Sequence, residues 1–261
     1  MSDHWLFSTL RNWFAGAACV ALTTVVAGAA TLSAEADLQV KSGNYAKAFE
    51  MYSKAGAQGD LFAQCKVGEM YYEGLGVEKD LRKAFQAYKG AAEKGTPVAQ
   101  CMLGIMYFEG QGTLRDYKAA AEWYRKAAAQ GRDMALFNLA LMYREGKGVE
   151  KSVAKSIELL LQAASLGNSR AQFELATLYR EGKAVKKDLV RATEFFAKAA
   201  AQGDPAAQAA LGLAYCMGEG VQMNLEKAKR ALKMAYDNPE SDDALRRKCE
   251  ALWSKYKLYD Y

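Results

Sequence analysis

One spacing constrains this chain more than any other feature. Gly59, Gly95, Gly131, Gly167 and Gly203 recur every 36 residues, and Ala63, Ala99, Ala135, Ala171 and Ala207 keep the same interval. Tyr71, Tyr107, Tyr143, Tyr179 and Tyr215 repeat it, each followed by a glycine at 74, 110, 146, 182 and 218. A unit of this length is one supersecondary element that cannot bury an apolar face alone, so neighbours must stack. Five such units fill 60–239, divided as 60–95, 96–131, 132–167, 168–203 and 204–239.

Within a unit the residues spell two antiparallel helices. Asp60, Thr96, Asn168 and Asp204 stand where a first helix needs an acceptor for its free N–H groups, and Pro97 and Pro205 follow where a missing N–H is harmless. Phe62, Val67, Met70 and Tyr71 then recur at helical spacing. Gly74-Leu75-Gly76 and its counterparts break that helix, and Asp80, Asp116, Ser152, Asp188 and Asn224 cap the second one. Small residues such as Ala63, Gly68, Ala84 and Ala91 mark close helix approach. The expected fold is therefore all-α: a right-handed α-solenoid of five 36-residue helix-turn-helix repeats, with an N-terminal half repeat at 35–59 and a C-terminal capping helix in 240–261. In the half repeat Asn44 to Ala55 matches a second helix and Glu35 to Lys41 supplies a short partner. In the cap Ser241 starts a helix striped by Leu245, Cys249, Leu252 and Tyr256, with Arg246, Arg247, Lys248 and Lys255 on its polar faces.

Residues 1–34 differ from the rest. No charge falls between Asn12 and Ala34, and Arg11 is the basic residue preceding the apolar stretch. This is the pattern of an export signal, with Ala27-Gly28-Ala29 and Ala34-Glu35-Ala36 both offering small residues for cleavage after Ala29 or Ala36. The same run is long enough to be an uncleaved anchor holding the repeats outside the cytoplasm. A periplasmic or secreted location follows in the first case, and contact with a membrane is confined to this segment.

Composition excludes several chemistries. The chain has one histidine, His4, inside that segment, so histidine-based zinc sites, Ser-His-Asp triads and Cys-His dyads are absent from the repeats. The formal charge of +5 is too small to indicate nucleic acid. No metal or other cofactor is expected.

The run Ala99-Gln100-Cys101-Met102-Leu103-Gly104, Tyr107, Glu109-Gly110-Gln111-Gly112, Asp116, Ala120, Trp123-Tyr124, Lys126-Ala127-Ala128 and Gly131 resembles the Sel-one-like repeat (SLR) family, a relative of the tetratricopeptide repeat. Ala140 and Ala176 depart from the glycine of the Leu-Gly pair, Ala184 from the second loop glycine and Pro239 from the terminal one. The resemblance implies adaptor, assembly or envelope-signalling roles without catalysis. It also implies a second role, a periplasmic immunity protein that neutralises a secreted antibacterial toxin, because repeats of this type occur beside such toxins.

Other motifs are weaker. Ser152-Val153-Ala154-Lys155 and Ser254-Lys255-Tyr256-Lys257 match the Ser-x-x-Lys of β-lactam-binding serine enzymes, but no Lys-Thr-Gly or Ser-Asp-Asn accompanies them, and Ser152 falls in a capping column. The glycine pairs lack the spacing of a phosphate-binding loop. Cys65 and Cys101, one stacking interval apart, are expected unpaired. Cys216 and Cys249 either form a disulfide between the last repeat and the cap or are two small buried residues.

In tetratricopeptide-like stacks the first helices line the concave face. Aligning the units places Cys65, Cys101, Phe137, Phe173 and Ala209 in one column of that face. Glu69, Ile105, Leu141, Thr177 and Leu213 form a second, and Tyr72, Phe108, Arg144, Arg180 and Cys216 a third. An apolar stripe flanked by Arg144 and Arg180 suits an amphipathic helix or an extended peptide carrying a carboxylate, so the expected partner is another protein held in this groove.

Overall fold

The computed structural model describes residues 28–260, which form helices α1 to α13 and a short 3₁₀ turn, Leu258–Asp260. The fold is an all-α repeat solenoid. Helix α1 covers 28–41. It is followed by α2 (Tyr45–Ala57), α3 (Leu61–Glu73), α4 (Leu81–Glu93), α5 (Pro97–Glu109), α6 (Tyr117–Ala129) and α7 (Asp133–Glu145). Then come α8 (Val153–Ser165), α9 (Ser169–Glu181), α10 (Leu189–Ala201), α11 (Pro205–Met217), α12 (Leu225–Asp237) and α13 (Asp243–Lys255). The chain divides into two compact units, one up to Lys126 and one from Ala127 on.

The caps follow the sequence closely. Asp60 accepts from the N–H groups of Phe62 and Ala63, and Asp80, Asp116, Ser152, Asn168, Asp188, Asp204 and Asn224 do the same at their helices. Thr96 makes no such side-chain bond. Asp242 rather than Ser241 caps α13, because the Ser241 hydroxyl is buried and donates to the Ala235 carbonyl.

The second loop glycines are required by close contact. At Gly112 and Gly220, both with φ +69°, a Cβ would stand 2.0 Å from the carbonyl oxygen of Leu81 and Leu189, at the start of the preceding repeat's second helix. Alanine strongly disfavours that φ. Where Ala184 replaces the glycine, the residue keeps a negative φ and lies exposed. The other loops each bond a backbone N–H to the carbonyl five residues back, from Leu75, Gln111, Lys147 and Glu219. Among the described backbone bonds the Ala184 loop has no counterpart.

A glutamine, buried in three of the four cases, ties four of the repeats to the one before. Gln64, Gln100, Gln172 and Gln208 donate from Nε2 to the carbonyls of Gly56, Ala92, Ala164 and Ala200 near helix C-termini, each of which also accepts the backbone N–H three residues on. Leu136 occupies this column in the repeat that opens the second unit.

The N-terminal end is fuller than a half repeat. Helix α1 is already formed at 28, seven residues before Glu35, and packs Ala29 and Ala36 into a cluster with Ala48, Tyr52, Ala55, Ala63 and Met70. Ser33 donates to the Asp60 carboxylate, and the Tyr52 hydroxyl donates to Asp37. The expected targeting segment lies outside the described residues as far as 27, and its remainder, 28–34, belongs to α1. Among the described residues no helix is long and apolar enough to cross a membrane. At the other end Cys249 and Leu258 are fully buried in a cluster with α11 and α12 residues, and Leu245, Leu252 and Tyr256 pack against it partly buried, as the stripe in α13 requires.

Candidate functional site

The first helices expose one arc. In α3 it runs through Phe62, Lys66, Glu69 and Glu73, spaced i, i+4, i+7 and i+11 as one face of a helix demands. The face opposite, with Ala63, Gly68 and Met70, is buried. Each expected groove residue can be placed against this arc.

The first expected column is mostly interior. Cys65, Cys101 and Phe137 are 9%, 2% and 7% exposed, so a partner cannot reach them without opening the core, and they drop out as contact residues. Their register places them one residue's rotation short of the arc, where the flanking helices close over them. Burial pushes the Cys65 thiol up to about 11, with Lys66 opposing it, so the group is protonated and inert at neutral pH. Phe173 is half-buried and leans on the Phe196 ring at 5.6 Å between centroids. The second column is reachable: Glu69 is exposed, and Ile105, Leu141 and Thr177 are half-buried. Thr177 spends its hydroxyl on the Phe173 carbonyl at 3.0 Å.

The third column is shared between structure and surface. Tyr72 is half-buried and donates to Gln111 Oε1 of the next loop at 2.9 Å, which makes it a brace between repeats. Phe108 packs edge-on against Tyr117 at 5.1 Å. Arg144 is held by Glu174 of the following repeat, Nη1 to Oε2 2.7 Å, so its guanidinium is already paired. Arg180 differs: its guanidinium lies over the Phe196 ring at 5.2 Å and makes no ion pair among the described residues. Of the two arginines expected to orient a partner, Arg180 is the one with charge to offer.

Sequence reasoning missed the outermost position. Phe62, Val98 and Met134 occupy equivalent places three residues before the first expected column, and they are 48%, 44% and 45% exposed. Phe62 reads as a core residue by spacing alone, yet it lies on the open arc with Lys66 over its ring at 5.8 Å. The available signal was that the small residues at 63 and 68 mark the packed face, which puts 62, 66 and 69 opposite.

The serine motifs resolve as local structure. The Ser152 Oγ accepts from the Lys155 backbone N–H at 3.2 Å as a helix cap, while Lys155 Nζ donates to Glu158 at 2.8 Å. That hydrogen bond raises the Lys155 pKa, the opposite of what a general base needs. Ser254 is exposed near the end of α13, and Lys255 lies over the Tyr256 ring. All four cysteines after residue 34 are buried and free, so Cys216 and Cys249 take the second of their two expected states. Among the described residues no group of three His, Cys, Asp or Glu side chains is placed to hold a metal.

Comparison with known proteins agrees with this architecture. A Sel1 repeat family model matches residues 36–60, 61–96, 97–131, 133–168, 169–204 and 205–238. The chain is similar to a Sel1 repeat protein from Oxalobacter formigenes, with 32% identity and a TM-score of 0.76 over 85% of this chain and 99% of that one. It is also similar to c5321, a protective antigen with an SLR fold from uropathogenic Escherichia coli, with 26% identity and a TM-score of 0.71 over 91% of this chain and 56% of that one. The immunity protein Pa5087 of Pseudomonas aeruginosa shares the fold at 22% identity and a TM-score of 0.51, over 86% of this chain and 83% of its own. No match is found among curated proteins. With matched repeats running from 36 to 238 on a backbone of stacked helix pairs, this chain belongs to the Sel1 repeat family, whose members act as protein-interaction scaffolds.

Proposed function

We propose that this protein is an exported, non-enzymatic scaffold that holds another protein against the exposed arcs of its first helices. The observation that carries this reading is the repeated exposure of large apolar side chains on those arcs, Phe62 and Val98 in the N-terminal unit and Met134 in the C-terminal one. Single exposed apolar residues are ordinary, but Phe62 and Val98, the same position in both repeats of the N-terminal unit, make a row there that a partner can cover, and Met134 offers an apolar contact on the other unit. Ile105 and Leu141 extend the apolar surface of their units, and Arg180 offers a cation to a partner carboxylate. Arg144 contributes indirectly, by fixing Glu174.

The test is in-cell crosslinking of the tagged full-length chain, comparing wild type with Phe62→Glu/Val98→Glu and with Arg180→Glu. A partner captured by wild type and lost from both variants, with thermal stability kept, is the expected result. A partner list unchanged by the variants would remove the first-helix arcs from the binding role. One dominant, tightly bound partner that is a toxin would make the protein an immunity protein. Weaker capture of several envelope proteins would make it an adaptor.

A further inference from the structure

The N-terminal helix decides between the two fates of the segment before it. We propose that the chain is a precursor cut at the Ala29–Ala30 peptide bond, and that the mature protein keeps α1 from Ala30 on. This rests on the export part of the proposed function and is independent of what the repeats bind.

Length separates the two fates. The uncharged run from Asn12 to Ala34 is 23 residues, enough to cross a bilayer, which takes about 20. Helix α1 takes 28–34 out of that run and uses it as the first helix of a repeat, with Ala29, Ser33 and Ala36 at 2%, 5% and 0% exposure. Only 12–27, or 16 residues, remains. An anchor of about 20 residues would have to take the first turn of α1 away from its packing against α2 and α3. Membrane insertion and folding thus compete for the same residues, whereas a cleaved signal, whose apolar stretch is about 7–15 residues, leaves the fold intact.

The contacts of α1 separate the two candidate bonds. Both candidate sites carry small residues at the two positions a signal peptidase reads, Ala27 and Ala29 or Ala34 and Ala36. A cut after Ala36 discards Ala36 and Ser33, and with Ser33 the hydrogen bond to the Asp60 carboxylate that caps α3. It also makes Asp37, the acceptor for the buried Tyr52 hydroxyl, a chain end. A cut after Ala29 removes one alanine from the packed set and keeps both hydrogen bonds. It also follows directly on the apolar Val25-Val26, where the processing site of a signal is found. In the reaction, signal peptidase adds water across the Ala29–Ala30 bond, leaving a carboxylate on Ala29 and an ammonium on Ala30.

The experiment is intact-mass measurement of the C-terminally tagged full chain after expression in a Gram-negative bacterium and fractionation. The expected species is 30–261 in the periplasm. Ala27→Lys should abolish it and leave full-length precursor, while Ala34→Lys, at an exposed position of α1, should leave it unchanged. A species beginning at Asp37, or loss of processing in Ala34→Lys alone, overturns the proposed bond. Full-length protein in the membrane fraction overturns the cut while keeping export, and full-length protein in the cytosol overturns export itself.

Discussion

The two units place different side chains on the same backbone arc. Up to Lys126 the first helices present Phe62, Lys66, Glu69 and Glu73, then Val98, Met102, Ile105 and Glu109. From Ala127 on, the repeat at 168–203 fills the arc with Arg170, Glu174, Thr177 and Glu181, and the Arg144–Glu174 pair and Arg180 border it. The interior differs in a compensated way. Gly68 and Gly104 lie under the rings of Tyr88 and Tyr124, while Ala140 and Ala176 share their columns with Leu160 and Phe196 opposite. At these two positions the added methyl faces a side chain smaller than tyrosine, in keeping with conserved packed volume, whereas Gly212 keeps its glycine opposite Leu232. On the arc nothing demands an answer, so the surface is free to specialise.

The largest effect should separate interior from arc. Phe137→Glu buries an unpaired charge and leaves a cavity, and it should cost about 3–5 kcal/mol or unfold the C-terminal unit, whereas Phe62→Glu should change stability by less than about 1 kcal/mol, both read by denaturant unfolding. Equal losses in the two variants would mean that the arc is not a free surface.

Next comes the compensated interior. In Gly104→Ala the new Cβ would stand 2.7 Å from the Tyr124 ring. Overpacking of this kind should cost about 1–3 kcal/mol, while the reverse change in the C-terminal unit, Ala176→Gly, should cost about 1 kcal/mol through backbone entropy. Thermal unfolding of the two variants checks the asymmetry.

The glutamine ties should rank by burial. Gln172→Leu removes one of the two donors of the Ala164 carbonyl, which keeps the Gly167 N–H, and leaves the Gln202 amide without its acceptor, and it should cost about 1–3 kcal/mol. Gln64, half-buried, should cost less when changed to Leu. Hydrogen exchange at the preceding helix C-terminus reports each loss locally.

A smaller effect is expected at the ion pair. Arg144 and Glu174 keep 40% and 32% of their side-chain surface, so Arg144→Ala should cost under about 1 kcal/mol and less in high salt. The smallest concerns pH. The Cys65 thiol ionises near 9.0 when unfolded and about 11 when folded, so the fold favours the protonated form. Its contribution is complete below pH 9 and is lost as pH rises toward 11. A thiol reagent at pH 8 should modify Cys65 only as fast as the protein opens.

The architecture was legible because every repeat carries its own punctuation: acceptors such as Asp60 and Asp188 at helix starts, glycines such as Gly112 where a backbone passes, and small residues where helices meet. Ala184 was legible only as a departure, since its consequence depends on a neighbouring backbone that the sequence does not display. The candidate site was half legible. Periodicity sorts side chains into columns, and the columns at 69, 105, 141 and 177 are reachable as expected. It does not say which column the flanking helices cover, and that is why Cys65, Cys101 and Phe137 belong inside while Phe62, Val98 and Met134 are outside.

Local physics within one repeat therefore determined the helices, their ends, their small-residue seams and the need to stack, all of which follow from hydrogen bonding and φ preferences over a few residues. Only the tertiary structure decided the rotation of the open arc, the capture of Arg144 by Glu174 across a repeat boundary and the packing of 28–34 as part of α1. Each of these depends on which surfaces are in contact between residues far apart in the chain.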